Sequence, residues 1–237
     1  LVVIDCTSRS LVNLPSGECY FALSYVWGAD HLKENETSLP NRLPQTIEDS
    51  ITVCKALEFR YLWVDRYCIP QNDGRTRAIH IKRMNEIYNN AYVVIIACTG
   101  ADPHYGLPGV SRDRPSCPCL DIGSSRYLQM IPSVHDIATS VWSTRAWTYQ
   151  EVLLATRRLY FTDRQLYFES RGCIESEFGT RAPTLTQSRV GHIYDLINVE
   201  FGETGDIHAL IEEYSSRKMS FPGDILNAIS GVLAYCE

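Results

Sequence analysis

The chain has 237 residues, of which 45% are hydrophobic, and it carries a formal net charge of -6 with a sequence pI near 5.5. This length and apolar content can build a substantial core without disulfides. The acidic balance argues against a general nucleic-acid binder, because phosphate-backbone binding relies on clustered Lys and Arg.

The first hundred residues alternate between strand and helix patterns. The segments LVVID, SLVNL and CYFALSYVW, all within residues 1–28, are rich in β-branched and aromatic residues and predict strands. After a polar loop, apolar residues at helical spacing from Ile47 to Leu57 predict an amphipathic helix that ends near Phe59. YLWVD then predicts a buried strand that delivers Asp65 to a loop, residues 76–90 predict a second helix, and YVVIIAC predicts another buried strand.

This alternation predicts an α/β fold with a parallel sheet flanked by helices. Parallel strands need helical crossovers, and functional groups collect in loops at the carboxyl ends of the strands. Residues 24–28, residues 65–71 and the segment from Thr99 onward all fall at such ends. We therefore expect the site to be built from these segments.

The second half departs from simple alternation. Residues 100–141 are rich in Pro, Gly and Ser, and we interpret them as an insertion or lid with one short strand near residues 126–131. Residues 144–154 predict a helix, and RRLYF and QLYFE predict a hairpin. Helices predicted at residues 206–214 and 225–235 suggest a domain over residues 1–175 and a helical extension over residues 176–237. Because the chain begins with LVVID and not with Met, we expect it to be part of a longer protein.

Cysteines and apolar runs bear on compartment and metal binding. Nine scattered cysteines favour a reduced, cytoplasmic protein with buried thiols. Cys117 and Cys119 are spaced too tightly for a usual zinc site, so we expect no metal. The longest apolar run, residues 92–98, is far shorter than a membrane span, so we expect no membrane partner.

The helix RAWTYQEVLL carries the strongest candidate for a catalytic group. The sequence has no Walker motif, G-x-G-x-x-G, G-x-S-x-G or H-E-x-x-H. Trp147, Gln150 and Glu151 are spaced i, i+3, i+4 and are expected to project from one face. Burial would raise the pKa of the Glu151 carboxyl, and a Trp neighbour could support a flat ring. The alternative is a structural Glu151 that pairs with Arg145 or with an adjacent loop.

Other polar residues at the strand ends have two interpretations each. Asp65 could contact a substrate or organise its own turn through backbone hydrogen bonds. Cys68 could be a nucleophile, but no histidine lies in a partner motif, which favours a buried thiol. Ser24 and Tyr25, at the end of the first core strand, could serve the site or the packing.

Four stretches of the sequence together resemble a known family. They are FALSYVWG, YLWVDRYCIPQ, MNEIYNNA and RAWTYQE, and the run GLPG at residues 106–109 accompanies them. In this order they resemble the HET (heterokaryon incompatibility) domain, a fungal cell-death module, over roughly residues 1–170. The departures are small: Arg66 and Tyr67 occupy a variable pair, and Tyr149 replaces the more usual Leu.

HET domains are in turn similar to Toll/interleukin-1 receptor (TIR) domains, with their flavodoxin-like sheet. This second resemblance places Glu151 where enzymatic TIR domains carry a catalytic glutamate. It implies cleavage of the nicotinamide–ribose bond of NAD, with NAD as substrate, no cofactor and a homo-oligomeric active form. The implied substrate-binding set is Ser24, Tyr25, Trp27, Gly28, Asp65, Cys68, Gln71, Arg145 and Trp147.

Two alternatives remain open on the sequence alone. The domain could be a signalling module that acts by homotypic assembly, or it could process another nucleotide or a nucleic acid, which the acidic composition disfavours. If Glu151 and Asp65 lie in one open pocket lined by an aromatic residue, the enzyme is favoured. If buried Arg or backbone donors satisfy them separately, assembly is favoured.

Overall fold

A computed structural model places the predicted strands in one mixed sheet flanked by helices. It describes residues 1–28, 39–71, 74–114, 119–128, 133–170, 173–177, 181–182, 207–219 and 221–235. Within these residues, nine strands form the sheet in the order β11-β10-β9-β8-β5-β3-β4-β1-β2, and two further strands, β6 and β7, form a separate hairpin. The strands are β1 (Val2–Asp5), β2 (Ser10–Asn13), β3 (Tyr20–Ser24), β4 (Tyr61–Trp63), β5 (Val93–Ala97), β6 (Cys119–Ile122), β7 (Ser125–Leu128), β8 (Arg157–Phe161), β9 (Leu166–Ser170), β10 (Cys173–Ser176) and β11 (Arg181–Ala182).

The helices follow the predicted alternation. α1 lies between β3 and β4, α3 and α4 lie between β4 and β5, and α6 precedes β8. No helix in the described ranges is long and apolar enough to cross a membrane. The helices are α1 (Gln45–Ala56), α2 (Asp65–Cys68), α3 (Gly74–Lys82), α4 (Met84–Asn90), α5 (Ser133–Ala138), α6 (Ala146–Leu154), α7 (Ile207–Ser215) and α8 (Asn227–Tyr235).

The centre of the sheet is parallel and confirms the predicted α/β class. β4, β3, β5 and β8 pair in parallel, so the four parallel strands lie in the order 2-1-3-4 of their occurrence along the chain. This is the order of flavodoxin-like sheets. In such sheets the order in which successive strands are added reverses between the first and third strands. β3 and β5 are buried along their whole length, which is why both are continuous apolar runs. The reversal point therefore lies at the carboxyl ends of β3 and β5.

Antiparallel strands extend this parallel core on both sides. The predicted hairpin is β8 and β9, and β10 and β11 continue it outward. On the other side β1 pairs antiparallel with β4 and with β2. The predicted strand near residues 126–131 is β7, which pairs with β6 and ends at Leu128.

Three local predictions are corrected by the structure. The single helix predicted over residues 76–90 is two helices, because Arg83 adopts φ -102° and ψ 6° and interrupts it. The predicted loop after β4 begins with the short helix α2, whose first residue, Asp65, accepts the backbone N–H of Arg66 at 2.7 Å. The helix expected to reach Phe59 ends at Ala56.

The carboxyl-terminal helices pack against α6. A second apolar cluster joins Tyr149 and Leu153 of α6 to Leu210 of α7 and Val232 of α8. Residues 183–206, in the predicted extension, lie outside the described residues. The helices α7 and α8 thus hold the outer side of the helix that carries Glu151.

Gly231 sets how closely α8 approaches α6. A Cβ at Gly231 would lie 2.4 Å from Asn85 Cβ and 2.9 Å from Gln150 Oε1, the oxygen that accepts the Gly231 N–H at 2.8 Å. Gly231→Ala is therefore expected to destabilise the fold by about 1–3 kcal/mol despite the better helix propensity of Ala. Thermal melting measures the change, with Gly223→Ala as the control, because nothing lies within 4 Å of a Cβ there. Equal melting temperatures for the two variants would contradict this packing.

Candidate active site

The candidate site lies at the point where the strand order of the parallel sheet reverses. Ser24 is the last residue of β3, Asp65 begins α2 directly after β4, and Glu151 lies on α6. Ser24 and Asp65 lie at one edge of the sheet because both come at the carboxyl ends of parallel strands, where α/β proteins bind ligands. The side chain of Glu151 reaches this edge from α6 and accepts the Ser24 hydroxyl.

Glu151 is held in a buried hydrogen-bond chain. The Ser24 hydroxyl donates to Glu151 Oε2, and the indole N–H of Trp142 donates to Ser24 Oγ at 2.7 Å. The hydroxyl of Tyr88 on α4 lies near Glu151 and donates to the backbone oxygen of Leu23 at 3.3 Å. Glu151 is 5% exposed, Ser24 is 1% exposed, and Trp142 is fully buried. The chain fixes the orientation of the carboxyl group.

The environment raises the pKa of Glu151 to about 7. The main cause is burial, which disfavours the charged form, and the second is the negative charge of Asp65. The hydrogen bond from Ser24, the charge of Arg145 and the nearby hydroxyl of Tyr88 act in the opposite direction. Glu151 can therefore hold or release a proton near neutral pH, which is a property of catalytic carboxyls.

Asp65 lies at the more open side of the same cluster. It is half-buried, and its Oδ2 accepts the indole N–H of Trp27 at 2.9 Å. Burial raises its pKa to about 6, against the opposing effects of the Arg66 N–H, the Trp27 N–H and the charges of Arg145 and Arg66. Asp65 thus organises its own turn, as one of the two sequence-based interpretations has it, and also acts electrostatically on Glu151, while a contact of Asp65 with a substrate stays a prediction.

Arg145 and Tyr25 complete the cluster. Arg145 Nη1 donates to the backbone oxygen of Tyr25 at 2.7 Å, and its charge lowers the pKa of both Asp65 and Glu151. The structure therefore places Arg145 beside the carboxyls without a direct ion pair to Glu151 in the described contacts. The Tyr25 side chain is 3% exposed, and its hydroxyl has no hydrogen-bond partner among the described residues. A buried polar group without a partner costs free energy and marks a place where a ligand could be bound.

The remaining residues expected at the site have mostly structural contacts. Cys68 is 1% exposed, its Sγ accepts the N–H of Val64 at 3.4 Å, and burial raises the pKa of its thiol to about 12, which disfavours the thiolate that a nucleophile needs. The Gln71 amide donates to the backbone oxygens of Asp65 and Ile69 and holds the turn that carries Asp65.

The three residues of the predicted common face of α6 contact different neighbours. Gln150 accepts a hydrogen bond from the α8 backbone, and Trp147 packs partly buried against both apolar clusters. A helical stripe of this width spans a wide arc, so its members reach different neighbours. Glu151 alone of the three reaches the polar cluster through its side-chain contacts.

Gly28 joins the site to the loop after β5. It has φ +72°, and a Cβ there would lie 2.9 Å from Asp102 Cβ and 3.1 Å from Pro103 Cδ. The same loop is anchored by the buried Asp49, whose Oδ2 accepts the N–H of Leu107 at 2.6 Å. The first part of the predicted insertion is therefore packed beside the open side of the cluster.

Sequence reasoning did not place Trp142 and Tyr88 in the site. Tyr88 lies in the MNEIYNNA stretch, where helical spacing indicated only a buried face. Trp142 precedes α6, in a short turn of 3-10 helix. Its position next to the RAWTYQE stretch was the one available signal.

Removal of the Ser24 hydroxyl is expected to raise the pKa of Glu151 further. In Ser24→Ala the carboxylate loses the donor that favours its charged form, so the pKa moves above about 7. A ¹³C NMR titration of the glutamate carboxyl carbons, assigned with Glu151→Gln, measures this directly. The matched control is Ser10→Ala. The hydroxyl of Ser10 is hydrogen-bonded to that of Ser8, and Ser10 lies in β2 at the edge of the sheet. An unchanged titration in Ser24→Ala would show that the hydroxyl does not act on Glu151.

The fold and the site define an α/β domain with a pair of carboxyls, one buried and one half-buried, where the strand order of a parallel sheet reverses. The family model described as "Heterokaryon incompatibility protein (HET)" matches residues 20–151, more than half of the chain, and the chain belongs to this family. The match includes Ser24, Asp65, Arg145 and Glu151.

A curated relative agrees with this assignment. Heterokaryon incompatibility protein 6, OR allele, of Neurospora crassa is 28% identical over 93 residues. The similarity covers 32% of this chain and 14% of that protein, so the chain spans a small part of the relative's length. No solved structure matches the chain significantly.

Proposed function

We propose that this HET domain is a cytoplasmic cell-death effector of fungal heterokaryon incompatibility or innate immunity, which hydrolyses the nicotinamide–ribose bond of NAD. The family and its relative in Neurospora crassa are named for heterokaryon incompatibility, and NAD depletion is a direct route to cell death. The observation that carries the proposal is the pair formed by the buried Glu151 and the half-buried Asp65, whose pKa values are about 7 and about 6.

A carboxyl whose pKa is raised by burial and by a neighbouring carboxylate, as that of Glu151 is, is relieved by a positive charge beside the two groups. The nicotinamide ring of NAD carries such a charge, and in the transition state the positive charge moves onto the ribose. A carboxylate that is poorly solvated in the free protein interacts strongly with this centre, because the site is shielded from water. The pair therefore favours cationic substrates that develop an oxocarbenium-like ribose.

The reaction is balanced with water as the second reactant. The bond between ribose C1′ and the nicotinamide nitrogen breaks, and its electron pair stays on the nitrogen, which leaves neutral nicotinamide. Water adds to C1′ and yields ADP-ribose, and Glu151 accepts the proton that the water loses. A cyclised product forms if a nucleophile of the substrate replaces the water.

The other residues have separate roles in this proposal. The indole N–H of Trp27 donates a hydrogen bond to Asp65 at the more open side of the cluster. The indole can therefore pack against a substrate ring that binds there. The unpaired hydroxyl of Tyr25 is available to a polar group of the substrate, and the guanidinium of Arg145 is available to phosphate. Backbone amides of the segment after Gly28, another candidate for phosphate, lie outside the described residues.

Nicotinamide release from NAD by the purified chain tests this function. The assay is run at high protein concentration and after fusion to an oligomerising tag, since enzymes of this resemblance commonly need self-association. NADH is the matched control substrate, because its dihydronicotinamide ring carries no positive charge, and it should not be cleaved. If the clustered protein releases no nicotinamide, NAD cleavage is ruled out as its activity.

An exposed apolar face favours one alternative, a non-enzymatic module that signals by homotypic assembly. On the hairpin β6–β7, Leu120 pairs with Tyr127, and Ile122 is two residues from Leu120, so all three side chains project from one face. Leu120 is 62% exposed, Ile122 is 58% exposed, and Tyr127 is 55% exposed. Exposed apolar faces of this kind often serve contacts with other proteins.

Cell-death assays with two variants separate the two functions. If assembly alone kills, Ile122→Asp abolishes death and Glu151→Gln leaves it intact. If NAD cleavage kills, Glu151→Gln abolishes death, and sedimentation of that variant shows the same oligomers as the unmodified chain.

A further inference from the structure

A groove separate from the carboxyl pair lies between α3 and the segment that leads into α8. Its cavity volume is about 440 Å³, within the range typical of small-molecule sites. One wall is a face of α3, on which Arg77, Ile81 and Lys82 share helical spacing. The opposite wall is formed by Phe221, Asp224 and Asn227.

Arg77 is unusual among the arginines of this chain. Every other arginine side chain that the structure describes interacts with an acid, a ring or a backbone oxygen, whereas Arg77 has no such partner there. Lys82, which lines the same wall, also has no ion-pair partner within the described ranges. Two cationic residues and one acidic residue, Asp224, therefore line one cavity, which leaves a positive balance there in a chain whose net charge is -6. A bound anion would complete this arrangement.

The other groups of the groove restrict the chemistry of that anion. Phe221 is 66% exposed, so its ring offers an open face for stacking opposite the partly buried Ile81. Asp224 and Asn227 are half-buried and supply acceptors for hydroxyl groups on the same wall as the ring. Phosphate, sugar hydroxyls and a flat base match these three elements. We propose that the groove binds a nucleoside monophosphate, with its phosphate on Arg77 and Lys82 and its base on Phe221.

This second site would be independent of the proposed NAD chemistry. None of its lining residues belongs to the cluster around Glu151. The two places are nevertheless linked in the fold, because α8, whose first residue lines the groove, packs against α6.

Isothermal titration with AMP, adenosine and inorganic phosphate tests the proposal on the full chain. AMP is expected to bind more tightly than either fragment, because only AMP joins a charge to a stacking ring. Arg77→Ala is expected to weaken AMP binding by about tenfold or more, since it removes a charge-assisted contact. Phe221→Ala should weaken AMP and adenosine but leave phosphate unchanged.

Two control variants make the result specific. Arg83→Ala removes a neighbouring arginine that is already paired with Glu86, so AMP affinity should not change. Glu151→Gln should also leave AMP affinity unchanged, which separates this groove from the candidate active site. Binding of AMP that Glu151→Gln abolishes, equal affinities of Arg77→Ala and the unmodified chain, or no binding at about 10 mM AMP would each overturn the proposal.

Discussion

Glu151→Gln is expected to reduce nicotinamide release from NAD by at least about 100-fold, the usual effect of removing a preorganised charged or hydrogen-bonding group from a buried site. The amide keeps the shape of the side chain and can still accept the Ser24 hydroxyl. It cannot carry the negative charge that stabilises an oxocarbenium-like ribose. Nicotinamide is quantified by chromatography under single-turnover conditions, so that slow product release does not hide the loss.

The same variant should be more stable than the unmodified chain at pH 8, which excludes misfolding as the cause of inactivity. The pKa of Glu151 is raised from 4.5 to about 7 in the folded chain. Its contribution to stability is therefore fully present below the unfolded pKa and is lost as the pH rises through about 7. At pH 8 the buried charge costs about 3 kcal/mol relative to a neutral group by this linkage, and Gln avoids that cost.

Thermal unfolding at pH 5 and pH 8 checks this second expectation. The melting temperature of Glu151→Gln should exceed that of the unmodified chain by several degrees at pH 8 and differ little at pH 5. A variant that melts lower at both values would mean that Glu151 is a structural residue, and the loss of activity would then say nothing about catalysis.

The parallel core of the fold could be predicted from the sequence for a simple reason. β3 and β5 are continuous apolar runs because both of their faces are buried, and the helical spacing between the runs identifies the crossovers. Once the strands are parallel, their carboxyl ends must lie together, so the sequence alone assigns Ser24 and Asp65 to one edge of the sheet.

The order of the strands and the contacts across the site are less accessible to sequence reasoning. Nothing local in LVVID indicates that β1 pairs antiparallel with β4 at the side of the parallel core. The hydrogen bond from Trp142 to Ser24 joins residues 118 positions apart and depends on how the turn before α6 packs. Periodicity identifies the face of a helix but does not distinguish which neighbour each residue on that face will meet.

The resemblance to HET domains added what periodicity could not, because it identified the stretches that matter. It placed Cys68 and Gln71 with the substrate-binding residues, and the structure shows that their side chains also support the turn that carries Asp65. A motif can thus include residues that a site needs for its shape together with residues that touch a ligand.

The second large effect expected is a shift in the pH dependence of NAD cleavage when Asp65 is neutralised. Activity requires ionised Glu151, so kcat/KM of the unmodified chain should rise with pH around a midpoint near 7. The charge of Asp65 raises the pKa of Glu151, so Asp65→Asn lowers it and moves the rise to lower pH by about one unit. At pH 6, kcat/KM expressed as a fraction of its plateau at high pH would be about fivefold larger for the variant than for the unmodified chain.

The measurement is kcat/KM from pH 5 to 9 for three proteins: the unmodified chain, Asp65→Asn and the control Glu86→Gln. Glu86 is exposed and paired with Arg83 on α4, so its neutralisation should leave the midpoint unchanged. Because the two carboxyls titrate as a coupled pair, the midpoints are read as properties of the pair and compared as a shift. A midpoint that stays near 7 in Asp65→Asn would show that burial alone sets the pKa of Glu151. The carboxyl pair could then no longer support a preference for cationic substrates, and the proposal would rest on the family resemblance and Glu151 alone.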